Sequence, residues 1–212
     1  MKLYVYDHCP FCTKARMIFG LQSLPLELSF VLEDDVDTPT QLVGKKTTPI
    51  LQKADGSHMA ESMDIVHYID EHCGELVVTP VGENSPIKVW HAAVWGPVLR
   101  LSIPRLASAE LPEFATLKAQ AAFKIRQTKN FGDFDELIGR TPDLVLEVEG
   151  QLAKLDALLA GREQVDADDF LLYPSLRMLS IVKGIQYPAN VKRYMEHMEQ
   201  STGVRLHFDK AC

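Results

Sequence analysis

The first 73 residues alternate short strand-like patterns with short helix-like ones. Residues 2–6 are rich in β-branched and aromatic side chains and end at polar Asp7, which predicts a first strand. Pro10 then stands at a typical first helical position, and apolar residues recur at helical spacing until Gly20. The chain is therefore predicted to begin with a strand that is followed directly by a helix.

The same alternation continues towards residue 73. Residues 27–32 predict a second strand, and Thr38-Pro39 predicts the N-cap and first residue of a short helix that stops at Gly44. Residues 49–60 predict a β-hairpin around an Asp-Gly turn, and residues 61–74 predict a helix. This order, beside a Cys-x-x-Cys motif, is typical of an α/β thioredoxin-like domain.

The rest of the chain predicts helices alone. Residues 74–86 contain glycines and prolines without a sustained period, which indicates a linker. Beyond the linker, helical patterns are found at residues 87–108, 114–134, 143–159, 166–182 and 190–200. The predicted organisation is a thioredoxin-like domain at 1–73, a linker at 74–86 and an all-α helical bundle at 87–212.

Two local patterns in the helical half make sharper predictions. An apolar stripe at helical spacing should face a core, and it comprises Leu144, Val148, Leu152, Leu155 and Leu159. Asp166 is placed to cap the helix at 166–182, and Asp169 is placed to reach back to it in a capping-box arrangement.

Composition narrows the classes of function. The formal net charge of -7 argues against a nucleic-acid partner, because binding to phosphates needs clustered Lys and Arg. No apolar run approaches the roughly 20 residues of a membrane span, and the N-terminus has no signal-peptide core. We expect a soluble cytoplasmic protein in a reducing compartment, without a nucleic-acid or membrane partner.

The chemistry is concentrated in Cys9 and Cys12. Cys9 lies at the predicted N-terminus of the first helix, where unpaired backbone N–H groups and the helix dipole favour a thiolate. Cys12 lies one turn further on, facing the core. We expect Cys9 to be an exposed nucleophile of low pKa and Cys12 to be a partly buried resolving thiol. Lys14 and Arg16 either add positive potential or are ordinary surface residues.

A metal site is the alternative interpretation of the cysteine pair. Zinc normally requires four ligands, and no second Cys-x-x-Cys or His pair follows at zinc-finger spacing. A bridging iron–sulfur cluster is a minor alternative. No metal is expected, and no role is expected for Cys73 or Cys212.

A second group of residues has the chemistry of a peptide-binding site. Thr48-Pro49 opens the hairpin and is a candidate cis peptide, which would leave the Thr48 backbone as an open edge for an extended peptide. Glu61-Ser62 at the start of the next helix offers N–H groups and a hydroxyl to a carboxylate, and Glu61 is available to an ammonium group. Alternatively, Ser62 is a simple N-cap.

Together these motifs carry a resemblance to a known family. The CPFC opening, the Thr48-Pro49 hairpin, ESMDIVHYID and LYPSLRMLSIVKGIQYP resemble the two-domain bacterial glutaredoxins, which have a glutathione-transferase-like architecture. Two positions depart from many glutaredoxins: Phe11 replaces tyrosine and Thr48 replaces valine. These departures affect the expected reduction potential and substrate preference more than the type of reaction.

The resemblance implies a function and a set of site residues. It implies a thiol–disulfide oxidoreductase that uses glutathione as co-substrate, is regenerated indirectly by glutathione reductase, and reduces glutathionylated or disulfide-containing proteins. It implies Cys9 as nucleophile and Cys12 as resolving thiol. It places glutathione on Cys9, Thr48, Pro49, Glu61 and Ser62, and it implies a monomer.

Two other functions fit part of the pattern. A glutathione transferase would use Tyr6, at the end of the first strand, to activate glutathione, although Tyr6 is more simply a packed aromatic. A non-catalytic, redox-switched interaction protein would resemble the intracellular chloride channel proteins. Those proteins often replace the second cysteine of the motif, whereas Cys12 is present here.

Overall fold

The N-terminal third of the chain, called the sheet half below, forms a small mixed sheet flanked by helices, and the remainder of the chain is called the helical half. The computed structural model describes residues 1–74, 76–162 and 164–212. The elements of this half, in chain order, are β1 (Lys2–Val5), α1 (Pro10–Leu21), β2 (Glu27–Phe30), α2 (Asp37–Val43), β3 (Ile50–Gln52), β4 (His58–Ala60) and α3 (Ser62–His72).

The sheet has the strand order β2-β1-β3-β4. β1 and β2 are parallel, with Leu3 opposite Leu28, so α1 forms the crossover between them. β3 runs antiparallel to both β1 and β4, and it places Leu51 opposite Leu3 on one side and Met59 on the other. The predicted thioredoxin-like order of strands and helices is confirmed.

The C-terminal half is helical. Its elements are α4 (Pro86–Leu106), a 3-10 helix (Pro112–Phe114), α5 (Leu117–Phe131), α6 (Phe134–Gly139), α7 (Thr141–Leu158), α8 (Asp169–Leu179), α9 (Ala189–Thr202) and a second 3-10 helix (Phe208–Lys210). The five residues of the predicted apolar stripe on α7 and just beyond it are all buried, because α4 and α9 pack against α7. No helix within the described ranges is both long and apolar enough to cross a membrane.

Helix α1 joins the two halves. It packs against α3 on one side and against α8 and α9 of the helical half on the other. At Gly20 the contact with α9 is so close that a β-carbon would lie 1.9 Å from the backbone oxygen of Thr202. A side chain at this position would therefore push the two helices apart.

One predicted helix is divided into two. The pattern at 114–134 was expected to be continuous, but the structure has α5 and then α6. Gly132 ends α5 with a φ of 92°, a conformation that favours glycine. The Asp133 carboxylate then accepts hydrogen bonds from the N–H groups of Asp135 and Glu136 at the start of α6. Phe114 belongs to the preceding 3-10 helix, so the predicted start was also wrong.

Two predicted helix starts are corrected in part. α2 begins at Asp37, so Thr38 is not its N-cap; instead, the Asp35 carboxylate accepts a hydrogen bond from the Thr38 N–H at 2.9 Å. α8 begins at Asp169 with Asp168 at its N-cap position, so the prediction that Asp166 caps this helix was wrong. The predicted reach of Asp169 back to Asp166 is confirmed, because the Asp169 carboxylate accepts a hydrogen bond from the Asp166 N–H at 2.8 Å. The stop of α2 at Gly44 is confirmed, with a left-handed φ of 78°.

The segment between the two halves is held at both ends. The Asp70 carboxylate of α3 accepts hydrogen bonds from the N–H groups of Val77 and Val78. Thr79 pairs with Asp166 of the helical half through an isolated parallel bridge. The described part of residues 74–86 is therefore fixed to both halves, and the domain limits at 73 and 87 stay a prediction.

Candidate active site

Cys9 is the N-cap residue of α1. Its sulfur accepts a hydrogen bond from the N–H of Cys12 at 3.4 Å, and Pro10 occupies the first turn behind it. Hydrogen bonding from the Cys12 side chain lowers the pKa of Cys9 to about 7, although burial of the thiol acts to raise it. The charge of His8 and the backbone N–H groups of Cys12 and Phe11 lower the pKa of Cys9 further. A thiolate at Cys9 is therefore populated near neutral pH.

Cys12 has the opposite properties. It is fully buried, and its sulfur accepts a hydrogen bond from the backbone N–H of Tyr6 at 3.4 Å. Burial raises the pKa of Cys12 well above its ordinary value, and the hydrogen bond with Cys9 and the charge of Cys9 raise it further. Both cysteines are free thiols, so the pair is poised with one thiolate in front and one thiol behind it.

Cys9 is less exposed than the sequence predicted. Only 9% of its surface is accessible, so the prediction of an exposed nucleophile was wrong. The physical reason is the helical half, which covers the N-terminus of α1 and leaves the sulfur at the wall of a cleft. The helical half therefore forms one wall of the space in front of Cys9.

The cleft has a volume of about 540 Å³ and lies between the two halves. The sheet half contributes Tyr6, His8, Cys9, Pro10, Phe11, Lys46, Thr47 and Thr48. The helical half contributes Trp95, Leu99, Ile103, Arg126, Gln127, Asn130, Phe131 and Met178. The wall is apolar near α4 and polar along α5, as is usual for sites that take small molecules or peptides.

The predicted glutathione residues occupy two neighbouring positions. Thr48 lines the cleft, and the Thr48–Pro49 peptide bond is cis, as the sequence suggested. The pairing of Ile50 with Ala60 places Glu61 next to Pro49 across the hairpin. Glu61 and Ser62 are not among the residues that line the cleft itself, so they lie at its side rather than in its walls.

The start of α3 differs in one respect from the prediction. Glu61 holds the N-cap position with a φ of 71°, and Ser62 is the first helical residue, so the N-cap interpretation of Ser62 was wrong. No side chain of the described residues caps this helix. The Glu61 carboxylate is paired with Lys45 at 2.8 Å, with both side chains more than half exposed. A positive φ in a non-glycine residue is a feature that concentrates at ligand-binding sites.

His8 and Glu113 form a pair that the sequence did not indicate. One oxygen of Glu113 accepts hydrogen bonds from the backbone N–H of His8 at 2.8 Å and from its ring Nδ1 at 2.6 Å. Both side chains are buried. No local signal could have linked them, because they are separated by 105 positions in the chain.

Of the two nearby cations, Lys14 interacts with the charge of Cys9, and Arg16 is paired with Asp7. Lys14 is largely buried, its charge interacts with that of Cys9, and its Nζ lies 5.4 Å from the centre of the Phe11 ring. Arg16 is turned to the other side of α1, where it binds the Asp7 carboxylate at 2.6 Å. The two residues therefore have different roles.

Tyr6 is a packed aromatic. It is 6% exposed and stacks on His8 with ring centres 5.6 Å apart. Burial raises the pKa of Tyr6 above its ordinary value, so its hydroxyl is not poised to share a proton with a bound thiol. This geometry does not favour Tyr6 as the activating group of a transferase.

Comparison with known proteins decides the family. The model of the glutaredoxin 2 C-terminal domain matches residues 86–211. Glutaredoxin 2 of Escherichia coli K12 is 42% identical over 211 residues, which cover 97% of each chain. This chain belongs to the glutaredoxin 2 family. It is accordingly a glutathione-dependent thiol–disulfide oxidoreductase with a thioredoxin-like domain and a helical domain.

Solved structures agree with this glutaredoxin assignment. The crystal structure of glutaredoxin 2 from Salmonella typhimurium in complex with glutathione superimposes with a TM-score of 0.95 at 40% identity, covering 100% of this chain and 98% of that chain. The glutathione S-transferase N-terminal domain model matches residues 8–72. A glutathione transferase from Phanerochaete chrysosporium has a TM-score of 0.70 at 15% identity, covering 94% and 96% of the two chains, and shows the shared fold alone.

The glutaredoxin site shows no metal-binding arrangement in the part of the chain that the structure describes. Within those residues, no group of three or more His, Cys, Asp or Glu is placed to hold a metal ion. The donors at the site are two thiols, one of them fully buried. The chemistry that these groups support directly is thiol–disulfide exchange.

Proposed function

We propose that Cys9 is the nucleophile of this glutaredoxin and that Cys12 is its resolving thiol. The observation that carries the proposal is the division of roles between the two sulfurs. Cys9 caps α1, has a pKa of about 7 and lines the cleft, whereas Cys12 is buried behind it with a raised pKa. An attacking thiol of pKa near ambient pH combines a large thiolate fraction with good nucleophilicity.

The first reaction is the reduction of a glutathione mixed disulfide. The Cys9 thiolate attacks the glutathione sulfur, the bond between the two substrate sulfurs breaks, and the substrate thiolate leaves and takes up a proton. A second glutathione thiolate then attacks the glutathione sulfur bound to Cys9. This releases oxidised glutathione and restores the Cys9 thiolate, so two electrons pass from glutathione to the substrate.

Protein disulfides require the second thiol. Cys9 attacks the protein disulfide and forms a mixed disulfide, and Cys12 then loses its proton, attacks Cys9 and releases the reduced protein. Formation of the mixed disulfide removes the Cys9 charge that raises the pKa of Cys12. The second thiol is therefore activated when it is needed. Two glutathione molecules reopen the Cys9–Cys12 disulfide.

Glutathione is proposed to bind beside Cys9. Thr48 and Pro49 would offer backbone groups to the extended tripeptide, and the N-terminus of α3 at Ser62 would receive a carboxylate, with Glu61 near the ammonium group. The Salmonella relative was crystallised with glutathione, and the near-identical fold supports the same ligand here.

The expected partners follow from this chemistry. Glutathionylated and disulfide-containing proteins would be the substrates, and glutathione reductase would regenerate glutathione without contacting this chain. We propose a cytoplasmic monomer, since the site is built from the two halves of one chain.

The test is the rate at which a glutathione mixed disulfide is reduced, coupled to NADPH through glutathione reductase. Cys9→Ser should abolish activity, and Cys12→Ser should retain most of it. Cys73→Ser, which changes a thiol away from the cleft, is the matched control and should behave as the parent protein. Full activity of Cys9→Ser would refute the assignment of the nucleophile.

A further inference from the structure

Glu113 brings a buried negative charge from the helical half to the residue that precedes Cys9. It lies in the 3-10 helix Pro112–Phe114, and its side chain is fully buried. One oxygen accepts both the backbone N–H and the ring Nδ1 of His8. The other oxygen has no hydrogen-bond partner among the described residues, so His8 is the group to which this carboxylate is directed.

The His8 ring lies in an apolar enclosure. It stacks between Tyr6, with ring centres 5.6 Å apart, and Phe114, at 5.3 Å. The edge of Phe123 closes the enclosure at 5.0 Å. Because such surroundings screen charges poorly, an ion pair within them acts strongly on its immediate neighbours.

Several other charged or titratable groups lie near this enclosure. They are Cys9 at the N-cap of α1, Glu33 after β2, Arg126 on α5, which binds Glu33 and lies over the Phe123 ring, and His207 near the C-terminus. Burial raises the pKa of Glu33, and burial lowers the pKa of His207 to about 3, so His207 is neutral at physiological pH. Of the two carboxylates, Glu113 has the stronger effect on His8: its hydrogen bond and charge raise the pKa of His8, and the charge of Glu33 raises it to a smaller extent.

The titration of the pair agrees with this geometry. Burial opposes a charge on either group, yet the hydrogen bond and charge of Glu113 raise the pKa of His8 above its ordinary value. Burial acts to raise the pKa of Glu113, but the same hydrogen bond with His8 lowers it below its ordinary value. Both shifts favour the charged forms of the pair, and the His8 ring belongs to the residue adjacent to Cys9, at the wall of the same cleft.

We propose that His8, held as an imidazolium by Glu113, is a positioning residue that stabilises the Cys9 thiolate, so that the helical domain sets the reactivity of a nucleophile in the other domain. This inference rests on the proposed role of Cys9. It gives the helical domain a part in the chemistry beyond covering the site.

The first experiment measures the rate of alkylation of Cys9 by iodoacetamide as a function of pH. Glu113→Gln keeps the size of the side chain and an oxygen that can accept the His8 N–H, but it removes the charge. The midpoint for Cys9 should rise by about one pH unit, which corresponds to an approximately tenfold slower reaction at pH 6. Glu110→Gln removes an exposed charge from the same segment and should leave the midpoint unchanged.

The second experiment needs no substitution and so does not depend on the folding of a variant. NMR titration of His8 in the parent protein should give a pKa above the ordinary value. Alkylation of Cys9 removes its charge and should lower the pKa of His8, because the coupling between two titrating groups is reciprocal. An unchanged midpoint for Cys9 in Glu113→Gln, or an unchanged His8 pKa after alkylation, would overturn the proposal.

These outcomes can be separated from failure of the proposed function. Alkylation and NMR report the charge of Cys9 and His8 without turnover. If Cys9→Ser abolished turnover while Glu113→Gln left the Cys9 midpoint unchanged, the positioning role alone would fail. If Cys9→Ser kept full turnover, the assignment of the nucleophile would fail whatever the midpoint.

Discussion

Arg177 of α8 binds Asp7, two residues beyond β1, across the interface between the two domains. The guanidinium is 2% exposed, and one of its NH2 groups lies 3.0 Å from the Asp7 carboxylate. The same side chain donates to the backbone oxygens of Asp7 and Arg205. This contact fixes the chain immediately before Cys9, so the site depends on the docking of the two halves.

The contact predicts how stability changes in acid. Burial opposes the charge of Asp7, but the charges of Arg177 and Arg16 lower its pKa to about 2. A carboxyl whose folded pKa is depressed stabilises the fold above its unfolded pKa of about 3.9 and loses that contribution as the pH falls towards 2. The free energy of unfolding should therefore fall by about 2 kcal/mol over this window.

Urea unfolding of the parent protein and of Asp7→Asn at a series of pH values checks this prediction. The free energy of unfolding of Asp7→Asn should be lower by about 3 kcal/mol at pH 7, because Arg177 stays buried without its charged partner. This variant should also lack the decrease in the free energy of unfolding that the parent protein shows as the pH falls towards 2. Asp209→Asn, at an exposed aspartate, should follow the parent profile. A parent-like acid profile for Asp7→Asn would contradict this account.

The contact of α1 with α9 makes a second prediction. Gly20→Ala should destabilise the protein by about 2 kcal/mol, because the new β-carbon would meet the Thr202 backbone oxygen. Gly150→Ala is the matched control: it lies within α7 with nothing within 4 Å of a β-carbon, and it should stabilise the helix by about 1 kcal/mol. Equal changes in stability for Gly20→Ala and Gly150→Ala, measured by thermal or urea unfolding, would refute the close approach of α1 to α9.

Tyr6 distinguishes the oxidoreductase from a transferase. Tyr6→Phe should keep the rate of disulfide reduction within about twofold, since the buried hydroxyl has a raised pKa and takes no part in the exchange. Loss of a group that activates glutathione would cost about 100-fold or more. The coupled reduction assay and a conjugation assay with an aromatic electrophile check both rates, with Tyr4→Phe in β1 as control. A large loss in Tyr6→Phe alone would favour the transferase.

The sequence predicts best those features that depend on residues close together in the chain. The order of strands and helices around Cys9 could be predicted because Pro10, Gly44 and the apolar periodicity act within a few residues of the chain. The apolar stripe from Leu144 to Leu159 was predictable for the same reason. The division of α5 from α6 was missed because Gly132-Asp133 was outweighed by the helical spacing on either side.

The parts of the site that were missed depend on contacts between distant segments. Burial of Cys9 and the pairing of His8 with Glu113 arise when the helical domain docks onto α1. Likewise, nothing near Arg177 in the sequence indicates that its partner is Asp7, 170 positions away. The reactive cysteines could therefore be predicted from the sequence, whereas the charged groups that surround them could be identified only from the structure.

The most direct test of the central claim is the pH dependence of alkylation of Cys9 and Cys12 in the parent protein. A short exposure to iodoacetamide at each pH, followed by mass spectrometry of the peptides, gives a separate profile for each thiol. The account predicts a midpoint near pH 7 for Cys9 and no reaction of Cys12 until well above pH 9. Equal midpoints, or a faster reaction at Cys12, would contradict the assignment of Cys9 as the nucleophile.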